Sequence, residues 1–558
     1  MYVSPMHRFF SHPVVKQAVF AVCLLLTVGI QFRAQLHNGF STLYGDSYDA
    51  TIVATILEHW FNVFRGFSHW SEANYFYPLK NTLGQTDGYF LVGILYTPFR
   101  LLGFDPYLSS ELANVALRCI GFASFYLLCA RMFRFSHGWS LLAAILFILS
   151  NNLTVHGQRV QLATVSLAPI MAWLLWSAFE ALRADDTKRL LRFGALSAVF
   201  LGAWSITCFY ITWFFIYFTV FFTVFALFLN GRDHRQHLFA QLKRQWRVLL
   251  ATLIITGVSL YPLLSVYLTK AAETGMRPYE SAFSFTVGWE GILQTGSENF
   301  MFGELYKRVL LVLSPGYTPN GEYYNTGIAP LLFAVFVFGA FQILRDKSLA
   351  EAQPLRRPLV WATFITWLGI LNIGGHSAWY LLYSFFPGAK ALNVVGAYQL
   401  FLTLPVIVIA IHYLQSISRK TPRPVFFLLI ALLCVEELNK AYIILDRQHE
   451  LRKVTVLEPP PSECTTFFAT QWADQETLTP MPAWINNYYA HNVAAMLIAE
   501  LTHLPTVNGM ASFNPKGWDF ASPQKPDYEQ RVRSFTDRHE LKNVCRLDLE
   551  TKQWSMAW

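Results

Sequence analysis

The chain has 558 residues, of which 54% are hydrophobic and only 14% are charged, and its mean hydropathy is +0.33. Domains that fold in water carry about 25% charged residues, so this composition excludes an ordinary soluble enzyme. The net charge of +8 does not indicate nucleic-acid binding, because the basic residues lie in short loops between apolar segments. The composition predicts an all-α polytopic membrane protein, whose first partner is the lipid bilayer.

Apolar segments close to the length of about 20 residues that crosses hydrocarbon recur along the chain. They predict about 11 transmembrane helices, at 14–32, 111–130, 139–150, 162–182, 193–208, 209–229, 248–268, 327–344, 358–373, 396–415 and 424–443. The first segment lacks a small-residue cleavage site, which favours an uncleaved span over a signal peptide. The segment 88–103 is short and contains Pro98, so we expect it to insert only partly.

The basic residues set the expected orientation. If the N-terminus is cytoplasmic and 88–103 does not cross, nearly every Lys/Arg cluster falls on the cytoplasmic side, as the positive-inside rule requires. This predicts a bacterial inner-membrane protein with a transmembrane module at 1–445 and a periplasmic C-terminal domain at 446–558. The outward loops of the module are then 33–110, 269–326 and 374–395.

The C-terminal region has the pattern of a small α/β domain. Strands are expected near 464–470 and 543–549, and helices near 490–503 and 526–540. Cys464 and Cys545 bracket this region, and they would form a disulfide if it lies outside the cytoplasm. Metal-binding and nucleotide-binding signatures of the CxxC, HExxH and Gly-rich loop types do not occur in the sequence.

Two aspartates, Asp46 and Asp49, follow the first span and precede a helical pattern that begins near Ser47. At i and i+3 on one helical turn they would face the same direction. Such carboxylates can act as a general base towards an acceptor hydroxyl or amine. They can also hold a divalent cation, Mg²⁺ or Mn²⁺, that bridges a lipid phosphate. Helix capping by Asp46 is the structural alternative, which explains one aspartate better than two.

The same loop contains aromatic residues that alternate with polar ones, among them His59, and it ends near Asp87. This composition suits a sugar-binding wall, and it suits an interfacial aromatic belt equally well. Asp87 is a third candidate acid. Its structural alternative is to cap the partly inserted helix that follows it.

A second polar turn lies between two spans on the same predicted face. It contains His156, Gln158, Arg159 and Gln161. His156 would shuttle a proton or bind phosphate, and Arg159 would pair with a phosphate oxygen. Ordinary interfacial hydrogen bonding is the alternative for this turn.

A lipid-phosphate donor requires cations just outside the bilayer. The outward loops offer several, of which Arg308 and Lys390 flank apolar segments where a phosphate head group would lie; the others are Lys270, Arg277 and Lys307. Snorkelling of these side chains to the phosphates of bulk lipid is the alternative.

Three short stretches carry a resemblance to a known family. They are Gly45-Asp46-Ser47-Tyr48-Asp49, His156-Gly157-Gln158-Arg159-Val160-Gln161 and Phe386-Pro387-Gly388-Ala389-Lys390. Together with the order of spans and loops, they resemble the GT-C superfamily of integral membrane glycosyltransferases, which use lipid-phosphate-linked sugars. The tail around Pro505 to Trp518 is similar to that of bacterial multi-span proteins often grouped with this superfamily.

The resemblance implies an outward-facing active site in which Asp46 or Asp49 is the catalytic base or a metal-site residue. It implies a polyprenyl-phosphate-linked sugar as donor and a glycan, lipid or protein as acceptor. A transporter or flippase for a lipid-linked glycan is a second hypothesis. Transporters show paired halves and broken helices at the bilayer midplane, whereas this sequence shows no evident halves. A non-catalytic assembly factor is a third hypothesis.

Overall fold

The structure is a computed structural model of the full chain. It describes residues 12–157, 159–317, 325–346, 353–440, 444–471, 483–512 and 514–558, and for 483–487 it describes the backbone only.

Helices dominate the described residues. Those of the membrane-embedded part and its loops are α1 Pro13–Gln31, α2 Arg33–His37, α3 Asp49–Phe64, α4 Phe90–Leu101, α5 Pro106–Arg131, α6 His137–Leu149, α7 Asn151–Val155, α8 Ala168–Arg183, α9 Thr187–Thr207, α10 Phe209–Leu229, α11 Gly231–Arg244, α12 Trp246–Thr274, α13 Tyr279–Phe283, α14 Gly303–Leu313, α15 Pro330–Arg345, α16 Arg356–Leu368, α17 Trp379–Phe385, α18 Tyr398–Ile417 and α19 Arg423–Glu436. Those of the C-terminal region are α20 Arg447–Val454, α21 Ala483–Thr502 and α22 Tyr528–Arg538.

Eight of the helical segments found in the described residues are long and apolar enough to cross a membrane. They are Pro13–Gln31, Pro106–Arg131, His137–Val155, Leu162–Arg183, Thr187–Thr207, Phe209–Leu229, Trp246–Thr274 and Val395–Ile417. Each of them coincides with a segment predicted from the sequence, and the protein is an integral membrane protein.

The other three predicted spans form shorter helices. α15 has 16 residues, α16 has 13 and α19 has 14, so at 1.5 Å per residue they are about 20–24 Å long. That is less than the roughly 30 Å of the hydrocarbon core. The predicted span 358–373 is wrong at its C-terminal end, because Leu371–Ile373 is a β-strand.

The partly inserted segment is a single short helix, α4, of 12 residues. It is about 18 Å long, which is too short to cross the bilayer. It packs against α3, α5 and α9 and buries Val92 and Tyr96 there, whereas Ile94 and Leu101 are exposed.

Close helix contacts hold the bundle together. α9 packs along α12, and a Cβ at Gly202 would lie 2.3 Å from the carbonyl oxygen of Ser259. Only glycine fits this contact, which is the small-residue packing typical of membrane helices. Aromatic side chains such as Trp204, Tyr217 and Tyr398 are fully buried at other helix contacts.

The loops gather at two opposite ends of the bundle. One end carries Asp46, Asp49 and Asp87, and we call it the acidic end. The other carries Arg183 and Arg244, and we call it the basic end. At the basic end the Gln241 amide donates to the carbonyl of Arg183 at 2.8 Å, which joins α11 to α8.

Backbone hydrogen bonds join the loops of the acidic end. Gly88 donates to Ile206 and Tyr89 to Thr207, while Val287 donates to Ile370 and Gly396 to Phe285. Segments of the loops predicted to face outward therefore meet at this end.

Three small sheets tie distant segments together at the acidic end. The first pairs β1 (Thr42–Leu43) antiparallel with β5 (Leu445–Asp446), and the second pairs β2 (Val287–Gly288) parallel with β3 (Leu371–Ile373), which pairs antiparallel with β4 (His376–Ser377). In the third, β6 (Thr466–Thr470) pairs parallel with β7 (Val544–Asp548), which pairs antiparallel with β8 (Trp554–Met556).

The C-terminal region packs on the first loop through α21 and α3. Its strands and helices lie within a few residues of their predicted positions, and Cys464 and Cys545 form a disulfide. A buried carboxylate, Glu500, fastens the contact, because it accepts hydrogen bonds from Asn62 at 2.9 Å and from the Asn74 backbone at 2.9 Å. The boundary between 1–445 and 446–558 stays a prediction.

Candidate active site at the acidic end

Asp46 precedes α3 within the first loop and fixes the start of this helix. One oxygen of its carboxylate, Oδ1, accepts hydrogen bonds from the backbone N–H groups of Tyr48 at 2.9 Å and Asp49 at 2.8 Å. The helix begins at Asp49, so Asp46 lies outside it and the expected sharing of one helical turn is wrong. Asp46 instead approaches Asp49 because its carboxylate caps α3, the helix that begins at Asp49. Burial, and then the neighbouring charge of Asp49, raises the pKa of Asp46 to about 6.

Asp49 lies in the first turn of α3, where the N–H groups of a helix stabilise a negative charge. Its Oδ2 is 3.0 Å from Nε of Arg159, which comes from the polar turn before α8. The Asp49 side chain remains 33% exposed, whereas that of Arg159 is 12% exposed. The structure therefore joins two of the predicted site stretches in one ion pair that is partly exposed.

His156 is buried beside this pair. Burial, and then the charge of Arg159, lowers the pKa of His156 to about 3. The imidazole is therefore neutral at pH 7, which does not fit the expected role of a phosphate-binding cation. Gln161 is half-buried, and its carbonyl accepts a hydrogen bond from the Thr164 hydroxyl. Gln158 lies outside the described residues.

Asp87 also caps a helix, but not the one expected. Its carboxylate accepts from the backbone N–H of Phe209 at 3.1 Å and lies 3.9 Å from the Cys208 thiol, so it caps α10 and not α4. Burial raises the pKa of Asp87 to about 6. The preceding residue, Thr86, accepts a hydrogen bond from the Tyr267 hydroxyl at 2.6 Å.

Tyrosines connect Asp87 with the Asp49 pair. Burial, and then the charges of Asp87 and Asp49, raises the pKa of Tyr89. Tyr210 and Tyr267 are in electrostatic contact with Asp87 as well. The site thus contains two acidic positions with buried phenols beside and between them. Rings of this kind offer both stacking faces and polar edges to a ligand.

The structure does not bring three of the predicted substrate-binding residues to this site. His59 is fully buried on α3, about 15 Å along the helix from Asp49, and faces Glu500 at 3.5 Å and the carbonyl of Trp70 at 3.1 Å. Arg308 is exposed on α14 and faces Glu304 at 3.7 Å. Lys390 is exposed and lies 5.7 Å from the ring of Tyr383.

Arg277 is the best placed cation of the predicted set. Its side chain donates to the carbonyl of Ser512 at 3.2 Å, and its backbone N–H donates to the carbonyl of Lys390 at 3.2 Å. It is also in electrostatic contact with Tyr210, the phenol beside Asp87. Arg277 therefore lies where the tail, the late loop and the tyrosines meet.

Four residues of this region were not predicted from the sequence: Tyr89, Tyr210, Tyr267 and Glu500. Asp87-Gly88 is a turn signal, and it is the one local cue that pointed to Tyr89. The other three are recognisable only from contacts between distant segments.

The divalent cation considered above would need ligands from the carboxylates of Asp46 and Asp49. The described residues contain no group of three His, Cys, Asp or Glu side chains that could hold a metal ion. Asp46 Oδ1 is engaged in the helix cap and Asp49 Oδ2 in the pair with Arg159. Two remaining carboxylate oxygens beside a guanidinium are a poor fit to Mg²⁺ or Mn²⁺, which prefer six oxygen ligands.

The bundle and its C-terminal tail share their fold with a solved membrane glycosyltransferase. The chain is similar to the mycobacterial arabinofuranosyltransferase AftD, with a TM-score of 0.50 and 13% identity over 89% of this chain and 32% of that one. This chain thus spans about a third of AftD.

The oligosaccharyltransferase AglB of Archaeoglobus fulgidus gives a TM-score of 0.48 at 13% identity over 96% of this chain and 70% of that one. A second AglB structure, in complex with an inhibitory peptide and a dolichol-phosphate, gives 0.45 at 11% identity over 95% and 69%. No protein-family model and no curated protein matches the sequence.

Proposed function

We propose that the protein is a glycosyltransferase that moves a sugar from a polyprenyl-phosphate donor to an acceptor at the acidic end, on the outer face of the membrane. The observation that carries the proposal is the Asp49–Arg159 pair. It places a partly exposed carboxylate against a guanidinium at the membrane end where the loops and the tail meet. The fold that the chain shares with the arabinofuranosyltransferase AftD supports the reaction class.

We assign the role of general base to Asp49. Its Oδ1 is free of the pair with Arg159, whereas the carboxylate of Asp46 is engaged in the helix cap. Asp49 takes the proton from the acceptor hydroxyl as the acceptor oxygen bonds to the anomeric carbon of the sugar. The bond from that carbon to the lipid-phosphate oxygen breaks, and its electron pair leaves with the phosphate. Asp46 is a positioning residue, because its cap fixes the backbone of Asp49.

The leaving lipid phosphate carries negative charge that must be offset. Arg159 lies beside the base, and Arg277 lies beside the tyrosines around Asp87. Guanidinium groups bind phosphate oxygens with two parallel hydrogen bonds. Preorganised cations of this kind stabilise charge as it develops in the transition state. The proposed mechanism needs no metal ion, since the donor set fits one poorly.

A lipid-release assay tests the proposal. The purified full chain in lipid nanodiscs is incubated with a panel of undecaprenyl- and decaprenyl-phosphate hexoses and pentoses, together with hydroxyl acceptors. We expect free polyprenyl phosphate and sugar-labelled acceptor to form in equal amounts with at least one donor. The double variant Asp46→Asn/Asp49→Asn should abolish both products.

The matched control is Asp185→Asn, which removes a carboxylate paired with Arg244 at the basic end and should leave turnover within twofold. Movement of an intact lipid-linked sugar between leaflets without cleavage would identify a flippase and refute the proposal. So would full activity of the double aspartate variant.

A further inference from the structure

An apolar cavity that shares no lining residue with the candidate active site extends between the helices of the bundle to the basic end. It has a volume of about 360 Å³ and is enclosed by α5, α8, α10, α16 and α18. Its lining is almost wholly apolar, and along α10 it extends from Phe215 to Leu227. At 1.5 Å per residue this distance is about 18 Å.

The inner end of the cavity is lined by apolar side chains, which form no hydrogen bonds with water. Phe215, Phe401 and Pro405 close it, and Ala168 and Pro169 form its wall at the start of α8. Protein interiors rarely leave voids larger than a water molecule, and apolar cavities of this size accept apolar guests. The shape and the lining therefore indicate a hydrocarbon occupant.

The mouth of the cavity at the basic end is different, because it carries positive charge. Phe179 and His234 line it, and the guanidinium of Arg183 lies 6.0 Å from the ring centroid of Phe179. Arg183 is also in electrostatic contact with His234. The nearby acid Asp185 is paired with Arg244 at 2.7 Å, so it does not cancel the charge of Arg183.

We propose that this cavity binds one acyl chain of an anionic phospholipid from the leaflet at the basic end, with the lipid phosphate between Arg183 and His234. The cavity length of about 18 Å is comparable to the hydrocarbon of one leaflet, about 15 Å. Charge complementarity sets the direction of entry, because the guanidinium of Arg183 lies at the basic mouth. A polyprenyl donor with its phosphate at the acidic end would enter from the opposite side.

The proposal does not depend on the proposed catalytic function. Native mass spectrometry of the full chain, extracted in mild detergent and titrated with phosphatidylglycerol or phosphatidylethanolamine, tests it. Ala226→Trp fills the cavity and should reduce retained phosphatidylglycerol at least tenfold. Val224→Trp is the matched control on the same helix, because Val224 is 40% exposed on the lipid-facing side, and it should leave lipid retention unchanged.

Ala172→Leu fills the cavity more mildly from α8 and should give an intermediate loss, so the test survives if the Ala226 variant does not fold. Retained phosphatidylglycerol at the wild-type level in both filling variants would overturn the proposal. Retention of polyprenyl phosphate in place of phospholipid would also overturn it.

The charge at the mouth needs its own test. Wild-type protein should prefer phosphatidylglycerol over phosphatidylethanolamine by about tenfold, and Arg183→Gln/His234→Gln should bring the two lipids to equal retention. Arg192→Gln is the control, because Arg192 is a cation of the same end that stacks on Phe193, away from the mouth. Equal retention of both lipids by the wild type would refute the headgroup part of the proposal.

Discussion

The acidic and basic ends of the bundle use charge in opposite ways. At the acidic end Asp49 is held by Arg159, 110 residues away in sequence, and Glu500 is buried against Asn62. At the basic end Arg244 faces Asp185 with its side chain 73% exposed. Charges buried with specific partners are costly to disturb, whereas exposed pairs contribute little. The comparison teaches that the Asp185–Arg244 pair of the basic end is solvent-exposed, whereas the acidic end holds its charges with partners distant in sequence.

Among the substitutions that test this comparison, we expect the largest effect, a loss of sugar transfer, at Asp49. Asp49→Asn should lower sugar transfer about 10³-fold, within the range for loss of a general base, with kcat falling more than KM rises. Steady-state release of polyprenyl phosphate measures it. Asp185→Asn at the basic end provides the contrast, and equal losses in the two variants would remove the distinction between the ends.

The next effect concerns the buried contact between the tail and the first loop. Glu500→Ala leaves His59, Asn62 and the Asn74 backbone without their shared acceptor, and should cost about 3 kcal/mol, the range for breaking a buried charged network. Limited proteolysis of the tail and the denaturant midpoint report it. Glu529→Ala removes an exposed acid that faces Arg546 and should change the midpoint little.

The two aspartates also predict a pH dependence. The pKa of Asp46, raised to about 6 by burial and by Asp49, means that the pair takes up a proton as pH falls through about 6. Activity should then fall about tenfold per pH unit below 6. Because Asp46→Asn removes the group whose pKa is raised to about 6, the acid limb of kcat/KM should move to lower pH. A limb that stays near pH 6 in this variant would exclude the coupled pair.

The raised pKa of Asp46 also makes the stability of the folded protein depend on pH. The folded-state pKa of Asp46 lies above its ordinary value of 3.8, so between these pH values the folded chain binds more protons than the unfolded chain. The contribution of Asp46 to stability therefore declines as pH rises from about 4 to about 6.

The smallest effect is expected at the basic end. Arg244→Gln breaks the exposed pair with Asp185 and should change the free energy of unfolding by no more than about 0.5 kcal/mol. Urea denaturation in a fixed detergent measures it. A loss of several kcal/mol would show that the basic end is also built from specific charge contacts.

Much of the fold could be predicted from the sequence because hydrocarbon imposes a length. The long apolar segments found by composition coincide with the eight helices that could cross a membrane. The span predicted at 358–373 was too long because apolar residues continue past the end of α16 into Leu371–Ile373, which pairs as a strand. Hydropathy alone does not distinguish a short apolar strand from the last turn of a helix.

The candidate site was predictable in part for a related reason. Asp46, Asp49 and Arg159 lie in polar turns beside spans, where the pattern is local. The partner of Asp87 is the backbone of Phe209, 122 residues away, and Tyr89 adopts a positive φ of 55°. His59 looked like a ligand residue in its own loop, and its contact with Glu500 could not be read from that loop.

The contact between Asn62 and Glu500 spans 438 residues, and this separation has a consequence for biosynthesis. α3, which carries Asp49 at its start, emerges early from the ribosome, whereas α21 is translated near the end. Until then the apolar and polar groups that α3 buries against α21 have no partner, a situation in which membrane chaperones protect nascent chains. Premature termination between α19 and α21 would leave Asn62 of α3 without its buried acceptor Glu500.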